Sequence, residues 1–331
     1  MFFIAEIGQA HEGSLGMAHA YIDALASTGV NAIKFQVHIA EAESSKYEKF
    51  RVKFSLQDKT RFDYWKRMEF STDEWKGLKK HCHDLGLKFI ASPFSNAAVD
   101  LLEQIETDIY KIGSGEVTNS LMLNKIAKLN RPVILSSGMS SFYELDKAIE
   151  LLKRYSVDLS VLQCTTAYPT KPEQWGLNII RELISRYQLP VGYSDHSGDI
   201  FSSLAASIMG AEILEFHAVF DYNMFGPDTK ASLTIDKISN LVRGVKLLKE
   251  SLSIHVNKNE TDDFGDLKQI FEKSLAINKD LPKGAEITED YLEAKKPKGK
   301  GIDANEYANV IGKRLNKNKK QWDFLNYRDL K

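Results

Sequence analysis

Two histidines, His196 and His217, follow or end short apolar runs, and two lysines, Lys34 and Lys111, stand at the ends of others. Serines recur at similar places: Ser92, Ser114, Ser136 and Ser194, several of them beside glycines. Small hydroxyls, ammonium groups and exposed backbone N–H groups are what a phosphate or carboxylate cradle is made of. Two imidazoles on neighbouring strands could hold one divalent cation. Such a cation would keep open positions for substrate and water, as a Lewis acid must. Glu6, Gln36, Glu116, Tyr168 and Asp228 add carboxylate, amide and phenol groups at further run ends. One polar residue at a strand end is an ordinary loop group. Polar or ionisable residues at every end point to a site. His81 and His83 flank Cys82, but residues one and two apart do not share a helical face, so they read as structural. His19 and His255 read as surface residues.

The elements that must position these groups are legible as periodicity. Apolar, β-branched runs cover 3–7, 32–35, 88–91, 109–112, 133–136, 159–163, 191–193 and 213–215. Amphipathic stretches such as 17–27 and 142–155 lie between them. Ser71 with Glu74, and Ser141 with Glu144, are helix-start signatures, and Gly29 and Gly86 end helices just before strands. Strands alternating with helices imply parallel βαβ units, and this number in about 250 residues fits a (β/α)8 TIM barrel. A doubly wound open sheet is the rival, but no GxGxxG follows the first run. In a barrel the site lies at the C-terminal strand ends, where the polar residues fall. The connection from Glu41 to Phe70 is long and rich in charge and aromatics, as expected of a functional cover. Residues 1–250 therefore read as the barrel, 251–268 as a polar linker and 269–331 as a small second unit, marginal for stability by itself.

Composition excludes other classes. Forty-four basic residues against 45 acidic ones create no field for nucleic acid or a membrane surface. No apolar run is long enough to span a bilayer, and the first residues lack the basic region of a secretory signal. Two cysteines, Cys82 and Cys164, make no disulfide framework, so both are expected as buried thiols in a reducing cytoplasm.

A resemblance then becomes visible. It is carried by Ile4-Ala5-Glu6-Ile7-Gly8, Ile33-Lys34-Phe35-Gln36, Glu69-Phe70-Ser71, Ser92-Pro93-Phe94-Ser95 and Lys111-Ile112-Gly113-Ser114-Gly115-Glu116. It continues through Ser136-Ser137-Gly138-Met139, Tyr168-Pro169-Thr170, Gly192-Tyr193-Ser194-Asp195-His196 and Gly226-Pro227-Asp228. In this order, these motifs resemble the sialic acid (nonulosonic acid) synthase family. The tail, from Lys295-Lys296-Pro297 through Gly301-Ile302 to Val310-Ile311-Gly312-Lys313, resembles that family's C-terminal antifreeze-like (SAF, β-clip type) domain.

The resemblance implies condensation of phosphoenolpyruvate with N-acetylmannosamine or a related amino sugar, giving a nonulosonic acid and phosphate. A legionaminic- or pseudaminic-type precursor is the alternative acceptor. It implies a divalent metal, manganese or magnesium, on His196 and His217. Lys34, Ser92, Lys111, Ser114, Ser136 and Ser194 would hold phosphoenolpyruvate. Gln36, Glu116, Tyr168, Asp228 and Lys296 would hold the sugar, and Glu6 would act near the reacting carbons. It implies a domain-swapped homodimer in which one tail caps the partner's barrel. Three positions depart from the family pattern: Ala10 replaces an Asn, Phe216 a Lys and Lys296 an Arg. Phe216 would make the sugar wall more apolar if it faced the pocket, and Lys296 keeps the charge but loses the planar fork. The rivals are a Schiff-base aldolase using Lys34 or Lys111, a two-histidine metal hydrolase, and a non-enzymatic carbohydrate- or ice-binding protein.

Overall fold

Each apolar run forms a strand, and each strand is followed by a helix. In the computed structural model, which describes residues 1–50, 52 and 54–331, the barrel strands are β1 (Phe2–Gly8), β2 (Ala32–Val37), β3 (Lys88–Pro93), β4 (Ile109–Ile112), β5 (Val133–Ser136), β6 (Leu159–Cys164), β7 (Val191–Asp195) and β8 (Ile213–Val219). They pair in parallel in chain order, and β1 also pairs with β8, with Glu6 opposite His217. The sheet thus closes on itself as a (β/α)8 TIM barrel and leaves no free edge among these strands. A two-residue strand, β9 (Leu233–Thr234), pairs in parallel with the end of β8. Every expected run lies inside an observed strand. The observed strands extend mainly at their C-terminal ends, where pairing continues after the residues turn polar.

Side chains two apart on a strand share a face. Ile4, Ala32, Ile90, Ile134, Leu162 and Ile213 point inward and form an apolar plug. Two residues further along the same strands stand Glu6, Lys34, Ser92, Ser136, Cys164 and Glu215. One layer of the barrel is therefore greasy and the next is polar. Gly192 belongs to the plug because nothing larger fits: a Cβ there would lie 2.4 Å from Leu162 and 2.5 Å from the Ile213 carbonyl. The alternate residues, among them Phe35, Phe89, Leu135, Tyr193 and Leu214, pack outward against the helices. Phe216 is one of these. It is buried in the layer between strand and helix, and does not line the cavity, because it is one residue out of phase with Glu215 and His217.

The helices close this outer layer. Leu15–Ala26 is capped by Ser14, and both Thr72–Asp84 and Phe142–Lys153 carry reciprocal capping boxes, Ser71 with Glu74 and Ser141 with Glu144. Each such cap stabilises its helix by about 1 kcal/mol. Gly29 and Gly86 adopt left-handed backbone, with φ of +84° and +74°, before their strands. Among the described residues no helix is long and apolar enough to cross a membrane.

The chain divides into two compact units, Met1–Ser253 and Ile254–Lys331. The last barrel helix, Ile235–Ser253, runs past residue 250, and a short helix, Gly265–Phe271, crosses the expected boundary at 268. The second unit holds an antiparallel pair, β10 (Ser274–Ile277) and β11 (Leu292–Lys295), over its own core of Leu275, Ile277, Ile287, Val310, Leu315 and Leu325. Asp329 is buried there and bridges Lys317 and Lys319 at 2.6 and 2.5 Å.

Candidate active site

The polar inward layer and the loops above it enclose a cavity of about 380 Å³. Every barrel residue expected at the site lines it: Glu6, Lys34, Gln36, Ser92, Lys111, Ser114, Glu116, Ser136, Tyr168, Ser194, His196, His217 and Asp228. They come from all eight strands or the loops after them. Lys296 belongs to the second unit, where its ammonium lies 4.8 Å from the centre of the Phe271 ring.

The floor is a buried network of two lysines and two carboxylates. Lys34 Nζ lies 3.0 Å from Glu6 Oε2 and 2.9 Å from Glu215 Oε1. Lys111 Nζ approaches the same Glu215 oxygen at 3.1 Å, and Ser194 Oγ donates to it at 3.1 Å. Burial raises the Glu6 and Glu215 carboxyls toward neutrality, but the cationic groups outweigh it: His217, Lys34 and Lys111 for Glu6, Lys111 and Lys34 for Glu215. Both remain ionised, well below the usual carboxylate range. Burial opposes charge on Lys34, yet Glu215 and Glu6 raise its pKa above the ordinary lysine value. Lys111 behaves oppositely. Burial lowers it, and the pull of Glu215 and Glu6, set against the nearby Lys34 charge, does not make up the loss.

Hydroxyls surround this floor. Ser136 Oγ is buried and has no hydrogen-bond partner among the described residues, as does Glu215 Oε2. An orphaned hydroxyl lining a cavity is costly unless a ligand satisfies it. Ser114 Oγ accepts from the Gly138 N–H at 3.1 Å and faces Cys164 Sγ at 3.7 Å. Cys82 is a buried thiol in a helix, as expected. Cys164 is buried too, but it also lines the cavity, 3.8 Å from His196 Nδ1. Burial would raise its pKa, but His196 and Lys111 hold the thiol below its ordinary value.

His196 and His217 face each other across one side of the cavity, with ring centroids 5.4 Å apart, and Tyr168 packs 4.2 Å from His196. His196 Nδ1 lies 3.0 Å from the Thr165 carbonyl, so a hydrogen there leaves Nε2 with its lone pair. Fixing the second ring nitrogen in this way is how metal-binding imidazoles are held. His217 Nε2 faces Glu6 Oε2 at 3.2 Å. Among the described residues no three His, Cys, Asp or Glu side chains form a closed metal cage. Two imidazoles beside a carboxylate are a donor set of the kind divalent cations take, with room left for water and substrate.

Another part of the cavity wall comes from the long connection after β2. Its helix, Arg61–Met68, starts at a Thr60–Asp63 capping box and buries Tyr64, Trp65 and Met68. Arg67 pins it to the barrel, donating to the Glu12 carbonyl at 2.8 Å and pairing with Asp58 at 2.8 Å. Phe54, Arg61, Tyr64 and Trp65 from this segment line the cavity with Phe94. Glu116, at the rim, accepts from Asn119 Nδ2 at 2.7 Å, and burial raises its pKa.

Sequence reasoning missed Glu215, although its two-residue spacing from His217 puts both on the inward face. It also left Gln9, His38 and Glu43 without a role, and these line the cavity as well. No local signal identifies Trp65 and Arg61, because their position depends on how the long connection folds back. Of the family departures, Ala10 lines a small adjoining cavity with Gln9, His217 and Asp228.

Comparison with known proteins adds an independent line. A family model described as the NeuB family matches residues 21–257. The chain is 34% identical to N,N'-diacetyllegionaminic acid synthase of Campylobacter jejuni, over 97% of this chain and 98% of that protein. It is 32% identical to human N-acetylneuraminate-9-phosphate synthase, over 95% of this chain and 88% of that protein. Among solved structures, the N-acetylneuraminic acid synthetase of Leptospira borgpetersenii in complex with citrate superposes with a TM-score of 0.70 at 31% identity, covering 80% of this chain and 89% of that one. With the barrel, the cavity and these matches in agreement, the chain belongs to the NeuB family of nonulosonic acid synthases.

Proposed function

We propose that the chain condenses phosphoenolpyruvate with an amino-sugar aldehyde to give a nonulosonic acid and inorganic phosphate. The observation that carries this reading is the polar floor. Two lysines and four serines, among them Ser136 with its orphaned hydroxyl, line one cavity together. This set suits a small, multiply charged anion bearing both phosphate and carboxylate.

Lys34 and Lys111 balance the anion's charge, and Ser92, Ser114, Ser136 and Ser194 donate to its oxygens. Gln36, Glu116, Tyr168 and Asp228 orient the sugar above it. His196 and His217 would hold a manganese or magnesium ion, which supplies electrophilic polarisation of the aldehyde oxygen when bound. The enol carbon attacks the aldehyde carbon, forming the new C–C bond. Positive charge develops at the phosphate-bearing carbon, and the ionised Glu6 carboxylate stabilises it. Water adds to that carbon while Glu6 takes its proton. Glu6 passes that proton to the alkoxide formed from the aldehyde oxygen. The C–O bond to phosphate then breaks as the C2 hydroxyl gives its proton to the departing phosphate, leaving a ketone at C2. Phosphate departs onto the lysines and serines that held it.

A second reading concerns the acceptor. Phe54, Tyr64, Trp65 and Phe94 line the cavity wall, and an apolar wall favours a sugar with a methyl or a second acetamido substituent over plain N-acetylmannosamine. The similarity to the legionaminic acid synthase supports it. We also propose that the second unit is an antifreeze-like domain that caps the partner's barrel in a swapped homodimer, with Lys296 near the partner's sugar. Its exposed Phe264, Leu267, Ile270 and Phe271 supply apolar surface for such an assembly. The test is incubation with phosphoenolpyruvate, manganese and a panel of amino sugars, reading phosphate release and product mass. Acceptor-dependent phosphate release with a product carrying three added carbons supports the reading. Its absence across the panel refutes it.

A further inference from the structure

His38 follows β2 and lines the cavity next to Gln36, yet the reaction described above gives it nothing to do. Its surroundings are unusually specific for an idle residue. The ring is clamped between Trp65 and Phe94, with centroids 3.7 and 4.5 Å away and planes within 16° of parallel. Nδ1 lies 2.8 Å from Glu43 Oε1. Nε2 lies 3.0 Å from Gln9 Nε2 and 3.3 Å from Gln36 Oε1. Gln9 Nε2 also donates to Gln36 Oε1, and Gln36 Nε2 donates to Glu6 Oε1 at 2.7 Å.

The donors and acceptors can be assigned along this chain. An ionised carboxylate only accepts, so the hydrogen of His38 sits on Nδ1 and points to Glu43. Nε2 is then a lone-pair acceptor and takes one hydrogen of the Gln9 amide. The other Gln9 hydrogen goes to Gln36 Oε1. Gln36 is thereby held with its oxygen toward Gln9 and its NH2 toward Glu6. With the opposite His38 tautomer, Gln9 would turn its oxygen to Nε2–H and lose its grip on Gln36. The clamp removes the remaining freedom, because a ring held on both faces cannot swing away.

We propose that His38 is a positioning residue that, backed by Glu43, acts through Gln9 and Gln36 to orient the Glu6 carboxylate toward the reacting carbons. This rests on the reaction proposed above. Glu43 and Trp65 both come from the long connection after β2. The wall of the cavity and the orientation of its central carboxylate are therefore set by the same segment.

Three variants separate this role from simple packing. His38→Leu fills the clamp but offers no acceptor. His38→Gln brings an amide oxygen to the former Nε2 position. Gln36→Ala removes the next link. His38→Leu should lower kcat at least tenfold, with KM for phosphoenolpyruvate unchanged within twofold. His38→Gln should recover at least a third of the wild-type kcat. In a Gln36→Ala background, His38→Leu should reduce kcat less than twofold further. Near-wild-type turnover in a folded His38→Leu enzyme overturns the proposal, as does a loss that multiplies in full onto Gln36→Ala. If His38→Leu does not fold, Glu43→Gln and Glu43→Leu decide: the first keeps an oxygen for Nδ1–H and should stay active, and the second should not. A readout independent of turnover is the tautomer itself. Nitrogen NMR of histidine-labelled wild-type enzyme, with the His38 signals identified by their loss in His38→Gln, should show hydrogen on Nδ1. Hydrogen on Nε2 overturns the proposal. A wild type inactive with every sugar refutes the reaction instead, while the tautomer still decides the hydrogen-bond chain.

Discussion

Replacing Glu215 by Gln changes one charge in the cavity floor and almost no volume. Glu215 Oε1 takes three contacts, from Lys34 at 2.9 Å, Lys111 at 3.1 Å and Ser194 at 3.1 Å. The ionic side chains are at most 4% exposed, so water cannot compensate. Removing one partner of a buried ion pair costs about 3–5 kcal/mol. Two features push this case to the low end. Lys34 keeps Glu6 at 3.0 Å. Lys111 loses its one ion-pair partner among the described residues, but the more distant Glu6 charge still acts on it. The expected loss is about 3 kcal/mol. At roughly 2–4 °C per kcal/mol for a unit of this size, Tm falls by about 6–12 °C. A second effect has the opposite sign. Glu215 competes with any anion for both ammonium groups, so inorganic phosphate or phosphoenolpyruvate should stabilise Glu215→Gln more than wild type. Thermal melts of both proteins, with and without each anion, measure both effects. An unchanged Tm, or equal stabilisation of the two proteins by phosphate, would refute the reasoning.

Other outcomes follow from the same geometry. Chelation should abolish activity, and His196→Ala or His217→Ala should do so with far-ultraviolet dichroism unchanged; full turnover after metal stripping contradicts the two-imidazole site. Labelled solvent oxygen should enter C2 of the sugar acid and not the phosphate, as mass spectrometry of both products will tell. Asp329, buried with Lys317 and Lys319, has a carboxyl held below its unfolded value of about 3.9 by those lysines despite its burial. Its stabilisation is therefore present above about pH 4 and disappears as pH falls through the depressed folded value. Denaturant melts should show Asp329→Asn less stable than wild type by about 3 kcal/mol at pH 7, with the gap closing in acid. Lys296→Ala should raise KM for the sugar more than for phosphoenolpyruvate, and His217→Ala subunits mixed with subunits truncated at Asp266 should regain activity; proven heterodimers without activity contradict capping across a dimer.

Much of this was legible in the chain. Strand ends carrying Glu6, Lys34, Ser92, Lys111, Ser136 and Ser194 announce a barrel with a polar mouth, because a period of two puts them inward and closure brings inward ends together. The capping boxes at Ser71 and Ser141 were equally plain, being local hydrogen bonds between residues three apart. The long connection after β2 could be read as a cover, since a stretch of that length with so many aromatics is rarely a plain linker. What the sequence determined by itself were periodicity, caps and the list of chemically capable residues. These are properties of neighbours along the chain.

Tertiary structure decided the rest. Phe216 sits between Glu215 and His217, and only the closed sheet settles that it faces the helices while they face the cavity. Glu215 becomes the counter-ion of two lysines because β8 returns beside β1, which brings it within 3.1 Å of residues 104 and 181 positions away. Cys164 reads as a plain buried thiol until β6 and β7 pair and bring His196 alongside. The clamp of Trp65 and Phe94 on His38 depends on where a connection with no periodic signal folds back. In each case the deciding contact joins residues far apart in sequence, and its energy comes from burial and charge in a closed interior that exists only once the barrel has formed.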